Sequence, residues 1–223
     1  MSELERLIEV MGRLRSDCPW DAEQTHRSLV TYLIEETCET VEAIEAADDA
    51  HLREELGDLL LQVVFHATIA AERGAFTLDD VAAGISDKLI SRHPYVFADE
   101  QVPDDLNTSW EQRKAAEKGR TSSLEGIPEQ LSALARATKI IARARSREVP
   151  VALDETPIDA EELSSGLVSL VSRAKASGLD ADQVMRDAVR DLEQRVRTAE
   201  AARDGAAGGS VGDNQDADPV RRA

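Results

Sequence analysis

Aromatic residues are scarce in this sequence: two Trp, two Tyr and three Phe make up 3% of 223 residues. Strands of β-sandwiches and barrels draw on aromatic and β-branched side chains, so this scarcity argues against both. Cysteine is confined to Cys18 and Cys38, which excludes a disulfide framework and fits a reducing compartment. No apolar run reaches the length a membrane-crossing helix needs; the best, 59–67, is interrupted by Gln62 and His66. The opening Met-Ser-Glu-Leu-Glu lacks the basic and apolar regions of a secretory signal. These absences lead us to expect a soluble cytoplasmic protein with no membrane partner. Positive charge is also in deficit, with 26 Lys and Arg against 44 Asp and Glu and a net charge of −18. Such a field repels polyanions, so a chain that grips a nucleic acid polymer through its phosphates is excluded. An anionic ligand would need a metal ion or a small basic cluster to draw it in.

Apolar residues reach 42%, enough for a packed core. The length suits one full domain plus something incomplete. Ala, Leu, Glu and Arg are abundant and favour helix, so the expected fold class is all-α. Leu4, Leu7, Ile8, Met11 and Leu14 mark a first helix, opened by a capping box at Ser2 and Glu5. A second helix is expected over 28–46, with Leu29, Leu33, Val41 and Ile44 on its apolar side. The longest follows over 50–73, with Leu52, Leu56, Leu59, Val63 and Ala67 at helical spacing and Gly74 past its end. Thr77 and Asp80 cap a fourth over 78–92, with Val81, Ile85 and Leu89 buried, and Pro94 stops it. A loop over 98–109 leads to a short charged helix from Ser109 through Lys118. Pro128 fits the first position of a helix reaching 147. Helices over 160–176 and 181–202 follow a linker marked by Pro150 and Pro157.

Residues 54–60, Glu-Glu-Leu-Gly-Asp-Leu-Leu, resemble 161–167, Glu-Glu-Leu-Ser-Ser-Gly-Leu. Each is followed by an apolar helix, a glycine (Gly74, Gly178), an Asp-rich start and a further helix. The second copy has Ser165 in place of Asp58, Asp191 in place of Lys88, and no acidic helix before it. We therefore expect a catalytic domain over 1–118, a linker helix and degenerate second repeat over 119–203, and a disordered tail over 204–223 rich in Gly, Asp and Ala.

The informative feature is acidic. Glu35, Glu36 and Glu39 lie on the second helix, Glu54, Glu55 and Asp58 on the third. A three-residue step turns roughly 300° and rises about 4.5 Å, so Glu36 and Glu39 project from one side, as do Glu55 and Asp58. The short connection predicts an antiparallel hairpin in which the two pairs face each other. Four converging carboxylates repel strongly unless a divalent cation lies among them. An all-oxygen donor set favours Mg²⁺, with Mn²⁺ as the alternative. Gly57, mid-helix at a cost of roughly 1 kcal/mol, suggests a close approach to the backbone there. The bland alternative is that these acids are solvated helix faces. It loses ground because both pairs sit on consecutive helices beside the apolar stripe.

The pattern Glu35-Glu36-x-x-Glu39, fifteen residues, then Glu55-x-x-Asp58 resembles the signature of the MazG nucleoside triphosphate pyrophosphohydrolases. Cys18-Pro19-Trp20-Asp21-x-x-Gln24-Thr25, the stretch 54–66, and the stretch from Ile85 through Arg92-His93-Pro94 to Phe97 are similar to MazG sequence as well. The resemblance is close over 4–147 and weak beyond. It implies a MazG-type helical bundle in which Glu36, Glu39, Glu55 and Asp58 hold Mg²⁺. It also implies cleavage of the α–β bond of a nucleoside triphosphate, ribo- or deoxyribo- and aberrant ones included, to the monophosphate and pyrophosphate. MazG proteins often carry two tandem domains; with the second copy worn, one functional acidic site per chain is expected, in the first half.

The remaining candidates carry two readings each. Glu35, about 100° around the helix from Glu36, either orients or deprotonates the attacking water or makes an exposed salt bridge. Lys88, Arg92 and His93 either bind phosphates or complement the dipole of the helix they end. Trp110, with Lys114 nearby, either stacks on a base or fills the core. Trp20 is expected in the core, His66 is read as a satisfied core histidine, and Cys38 as packing. A di-iron bundle would need paired Glu-x-x-His units, and the one present, Glu23 to His26, lies near a helix start. The competing function is a non-catalytic helical dimer that binds nucleotide or a partner protein as a regulator. Apolar stripes on both sides of the third helix predict a homodimer, or a dimer of dimers, in which helices of one subunit complete the other's site.

Overall fold

The computed structural model describes residues 1–208, and the described residues are all-helical. In chain order the helices are α1 (Glu3–Asp17), α2 (Pro19–Glu23), α3 (Val30–Glu45), α4 (Asp49–Glu72), α5 (Leu78–Arg92), α6 (Pro94–Phe97), α7 (Leu106–Glu117), α8 (Ala133–Ser146), α9 (Ala160–Ala176) and α10 (Ala181–Gly208). They divide into two compact units, Met1–Glu100 and Gln101–Ala223. The line falls before α7, which packs on α8.

In the first unit, local signals set the helix ends. Ser2 Oγ accepts from the Glu5 amide at 3.2 Å and Glu5 Oε2 accepts from the Ser2 amide at 2.6 Å, the expected capping box. Cys18 is extended before Pro19, which ends α1 and then occupies the first turn of α2. Thr77 and Asp80 cap α5 in the same reciprocal way. Gly74, at φ +67°, lets the Ala75 amide reach back to the Ala70 carbonyl at 3.0 Å and closes α4. Between α3 and α4, Ala47 takes a similar left-handed conformation at φ +53°. The Asp48 amide there donates to the Ala43 carbonyl, and the Asp48 side chain caps α4. The chain thus reverses in three residues, and α3 and α4 form the predicted hairpin.

The core of this unit joins Met11, Leu29, Val64, Phe65 and Ile69. Truncating such a side chain to Ala costs about 2–5 kcal/mol. Arg15 ties the C-terminal end of α2 to α4: it pairs with Glu72 at 2.6 Å and donates to the carbonyls of Asp21, Ala22 and Gln24. Its guanidinium lies over the Phe65 ring at 5.8 Å.

Several side chains expected in this core lie outside it. Leu33, Val41 and Ile44 on α3, Leu56 and Val63 on α4, and Val81, Ile85 and Leu89 on α5 are exposed, with Ile44 at 57%. Thr40 and Ala43 take the buried positions of α3 instead. Trp20, expected in the core, is 50% exposed and meets Tyr32 edge-on at 5.8 Å. Among the described residues only part of each apolar stripe finds a neighbour.

The second unit is built on α8 and α10, with Ile127, Ala137, Ile140, Ala144, Val189 and Val196 in its core. Arg136 and Glu193 pair across these helices at 2.6 Å. Glu200, 8% exposed, accepts from the Ser123 amide, the Ser123 hydroxyl and the Ser122 hydroxyl, each at 2.7 Å. Arg143 joins α8 to Glu111 of α7 at 3.2 Å. Helix α8 starts at Ala133, capped by Ser132, rather than at Pro128, because the Pro128 carbonyl is held in the preceding loop by Arg136 at 2.9 Å. Helix α7 starts at Leu106, ahead of Ser109, because Asp105 accepts from the Thr108 amide. Leu134 is exposed, as is most of the apolar face of α9. Gly178, at φ +72°, ends α9 as Gly74 ends α4. Residues 204–208, assigned by sequence to the tail, continue α10, and the rest of that stretch lies outside the described residues.

Candidate metal centre

The α3–α4 hairpin brings together carboxylates that are far apart along the chain. Oxygens of Glu36, Glu39 and Glu55 lie within 4.8 Å of one another. Glu36 is half-buried, Glu39 exposed and Glu55 buried at 6% exposure. Asp58, one turn after Glu55, is not within that contact range but acts on the same group. Burial raises the proton affinity of the Glu36 carboxyl first, and the negative charge of Asp58 is the next contributor, ahead of Glu39, Glu55 and Glu35. The four predicted acids therefore share one electrostatic environment, and Glu35 is an exposed neighbour that adds the smallest push.

Glu55 supports a cation most directly. Its Oε1 is 2.9 Å from His51 Nε2, while its Oε2 is buried with no hydrogen-bond partner. A buried carboxylate oxygen left bare costs about 1–3 kcal/mol or more. Three carboxylate oxygens within 4.8 Å of one another, one of them from a buried residue, form the kind of hard donor set that a divalent cation draws together. The donors are all hard oxygens, which fits Mg²⁺ or Mn²⁺ and disfavours soft metals.

Around this cluster the helices carry further polar groups. Thr37 and Thr40 hydroxyls donate to the Leu33 and Glu36 carbonyls and stay within their own helix. Cys38 is exposed. Gly57, read as a point of close approach, has nothing within 4 Å of where a Cβ would stand. On α4, Gln62 is buried with its Oε1 unpartnered. His66 is paired as expected: its Nδ1 is 2.8 Å from His26 Nδ1, and His26 Nε2 is 3.0 Å from an Arg73 guanidinium nitrogen. Burial, then His26, lowers the His66 pKa.

The candidate phosphate and base contacts are less concentrated. Lys88 is half-buried on α5 and Arg92 is buried in its last turn. The His93 ring is used locally, with Nδ1 donating to the Leu89 carbonyl at 2.7 Å and the ring edge-on to Tyr95. Trp110 and Lys114 lie on α7 in the other compact unit, where Lys114 pairs with Glu111 at 3.3 Å. The sequence reading missed His51 and Gln62. His51 was signalled by its i, i+4 spacing to Glu55, and Gln62 by being an amide inside an otherwise apolar run.

The MazG nucleotide pyrophosphohydrolase domain matches residues 24–97, a segment holding all four acids together with Lys88, Arg92 and His93. The nucleoside triphosphate pyrophosphohydrolase/pyrophosphatase MazG of Thermotoga maritima is 39% identical, over 88% of this chain and 85% of its own length. A nucleoside triphosphate pyrophosphohydrolase of Escherichia coli is 38% identical, over 90% of this chain and 88% of its own. One from Mycobacterium tuberculosis is 42% identical, over 89% of this chain and 59% of its own. Among solved structures, a MazG-related protein from Thermotoga maritima matches 49% of this chain and 97% of its own at 30% identity, with a TM-score of 0.43.

Proposed function

The chain belongs to the MazG family, and we propose that it hydrolyses nucleoside triphosphates to nucleoside monophosphate and pyrophosphate at the α3–α4 carboxylate centre. The observation that carries this reading is the buried Glu55, one of whose oxygens has no hydrogen-bond partner, clustered with the carboxylates of Glu36 and Glu39. Glu36, Glu39, Glu55 and Asp58 would hold Mg²⁺, with Mn²⁺ as an alternative. The bound ion would polarise a phosphoryl group and lower the pKa of a coordinated water. In phosphoryl and nucleotidyl transfer the protein chiefly positions groups and balances charge. Glu35, exposed beside the cluster, is suited to orient the attacking water or accept its proton. Lys88, Arg92 and His93 would engage the phosphates, with Arg92 offering a forked donor and Lys88 a point charge. Trp110 and Lys114 are proposed contacts to the nucleoside. A net charge of −18 makes local cations necessary for drawing in so anionic a substrate.

In this reading the catalytic domain spans 1–118 and the rest forms a degenerate repeat. The protein acts in the cytoplasm, where nucleoside triphosphates are found, and as a homodimer or dimer of dimers. The exposed Leu33, Ile34, Val41 and Ile44 on α3, together with Ile85, Leu89 and Ile90 on α5, support the association. The test is a panel of canonical and modified ribo- and deoxyribonucleoside triphosphates with Mg²⁺ and pyrophosphate detection. Release is expected in the wild type and lost with EDTA, in Glu39→Gln and in Asp58→Asn. Full turnover by Asp58→Asn would overturn the reading. Nucleotide binding without pyrophosphate release would favour a regulator in its place.

A further inference from the structure

Gln62 is 5% exposed, and its Oε1 has no hydrogen-bond partner. Among the described residues one other buried side-chain oxygen shares this condition, Glu55 Oε2. The two stand seven residues apart on α4. Seven residues turn about 700°, within 20° of two full turns, and rise about 10.5 Å. Asp58 lies between them, about 40° from Gln62 around the axis. Glu55, Asp58 and Gln62 therefore stand on one side of α4, the side whose Glu55 clusters with Glu36 and Glu39 of α3.

An amide is not what the fold asks for at this position. The flanking run is Leu59, Leu60, Leu61, Val63, Val64 and Phe65, and Val64 and Phe65 belong to the core. An apolar side chain at 62 would pack without leaving an acceptor bare, and buried acceptors are seldom left so without a reason. The separation from Glu55 is too great for one ion to bind both oxygens, since ion–oxygen distances are about 2 Å. The missing partner must also be a hydrogen-bond donor. The triphosphate chain offers acceptors, whereas the nucleoside end offers sugar hydroxyls and base N–H groups. That end extends from the α-phosphate over a length comparable to two helical turns.

We propose that Gln62 is a substrate-binding residue whose carboxamide oxygen accepts a hydrogen bond from the nucleoside part of a triphosphate held at the acidic centre. This rests on the pyrophosphohydrolase reading above. It assigns α4 two tasks on one face, with carboxylates at Glu55 and Asp58 for the metal-bound phosphates and an amide two turns on for the nucleoside.

The experiment uses the full chain with Mg²⁺ and two probes measured by titration calorimetry: an α,β-methylene nucleoside triphosphate, which resists α–β cleavage, and pyrophosphate. Wild-type protein is expected to bind both. In Gln62→Met and Gln62→Leu the nucleotide affinity should fall roughly tenfold, as for one lost hydrogen bond. Pyrophosphate affinity should not change, and the melting temperature without ligand should hold or rise. A 2′,3′-dideoxy analogue separates the two sources of the donor. A weakening that vanishes with it assigns the donor to the sugar, and one that persists assigns it to the base. Equal nucleotide affinities in wild type and variants overturn the proposal, as does a parallel loss of both probes. A lowered melting temperature or an unfolded chain in both variants assigns the amide to the fold and overturns it too. Wild-type protein that binds neither probe removes the pyrophosphohydrolase reading and this proposal together. Wild-type protein that binds both while the variants match it removes this proposal alone.

Discussion

His51 and Glu55 lie one turn apart on α4, with the imidazole Nε2 2.9 Å from one carboxylate oxygen and the other oxygen buried and bare. The contact holds the Glu55 carboxylate in one orientation within its cluster with Glu36 and Glu39. An outer partner of this kind tunes a ligand without touching the ion. His51→Ala should therefore weaken Mg²⁺ binding by about tenfold or more, read by titration of the metal. Unchanged affinity would show that the imidazole plays no part in orienting Glu55.

Removing the charge of Glu55 should separate activity from stability. Glu55→Gln is expected to lower pyrophosphate release by roughly 10²-fold or more. In EDTA the same protein should melt at the same temperature or a few degrees higher, since three neighbouring carboxylates lose one source of repulsion. A large drop in melting temperature would show that the carboxylate serves the fold.

The histidine pair predicts a pH dependence. Arg73 can only donate to His26 Nε2, so His26 carries its proton on Nδ1 and donates it to His66 Nδ1. A proton added to His66 would set two N–H groups against each other. The His66 pKa is lowered by burial and then by His26, so the unfolded chain takes up this proton more readily than the folded one. Stability should be unaffected well above the ordinary histidine value of about 6.5 and decline as pH falls below it. Urea unfolding of His66→Gln should show a flatter profile between pH 7 and 5, where pH 7 and 5 are roughly the limits of ordinary histidine titration. An identical slope in both proteins would refute the assignment.

The uncovered stripes of α3 and α5 predict self-association. Light scattering should report a dimer or larger for the wild type, and Ile44→Glu combined with Ile85→Glu should give monomers. A monomeric wild type at micromolar concentration would contradict this.

In the second unit, Glu200 anchors the loop before α8 through three hydrogen bonds. Burial alone would raise its pKa, but donation from the Ser123 amide and hydroxyl and the Ser122 hydroxyl outweighs it and holds the carboxyl below its usual range. Its contribution is present above the unfolded value of about 4.3 and is lost as pH falls through the folded one. Glu200→Ala should cost roughly 3 kcal/mol in denaturant unfolding at neutral pH, and a loss under about 0.5 kcal/mol, the range of ordinary surface substitutions, would show the network to be weak.

Much of this protein is local, and what is local can be read along the chain. Ser2 with Glu5, Thr77 with Asp80, Gly74 and Pro94 bound their helices because capping and breaking depend on residues within one turn. The spacing of Glu36, Glu39, Glu55 and Asp58 was likewise legible, because helical rotation alone sets which side each faces. Other features depend on what lies across the space between helices. Val81, Ile85 and Leu89 show the period of a buried stripe, yet burial requires a neighbour, and none of the described residues covers them. Pro128 could begin a helix, but Arg136 holds its carbonyl in a loop. Tertiary packing alone decided that Glu55 is buried with one oxygen bare, that Gln62 shares that state, and that His26 meets His66. Each is a matter of desolvation and missing or found partners, which sequence spacing does not encode.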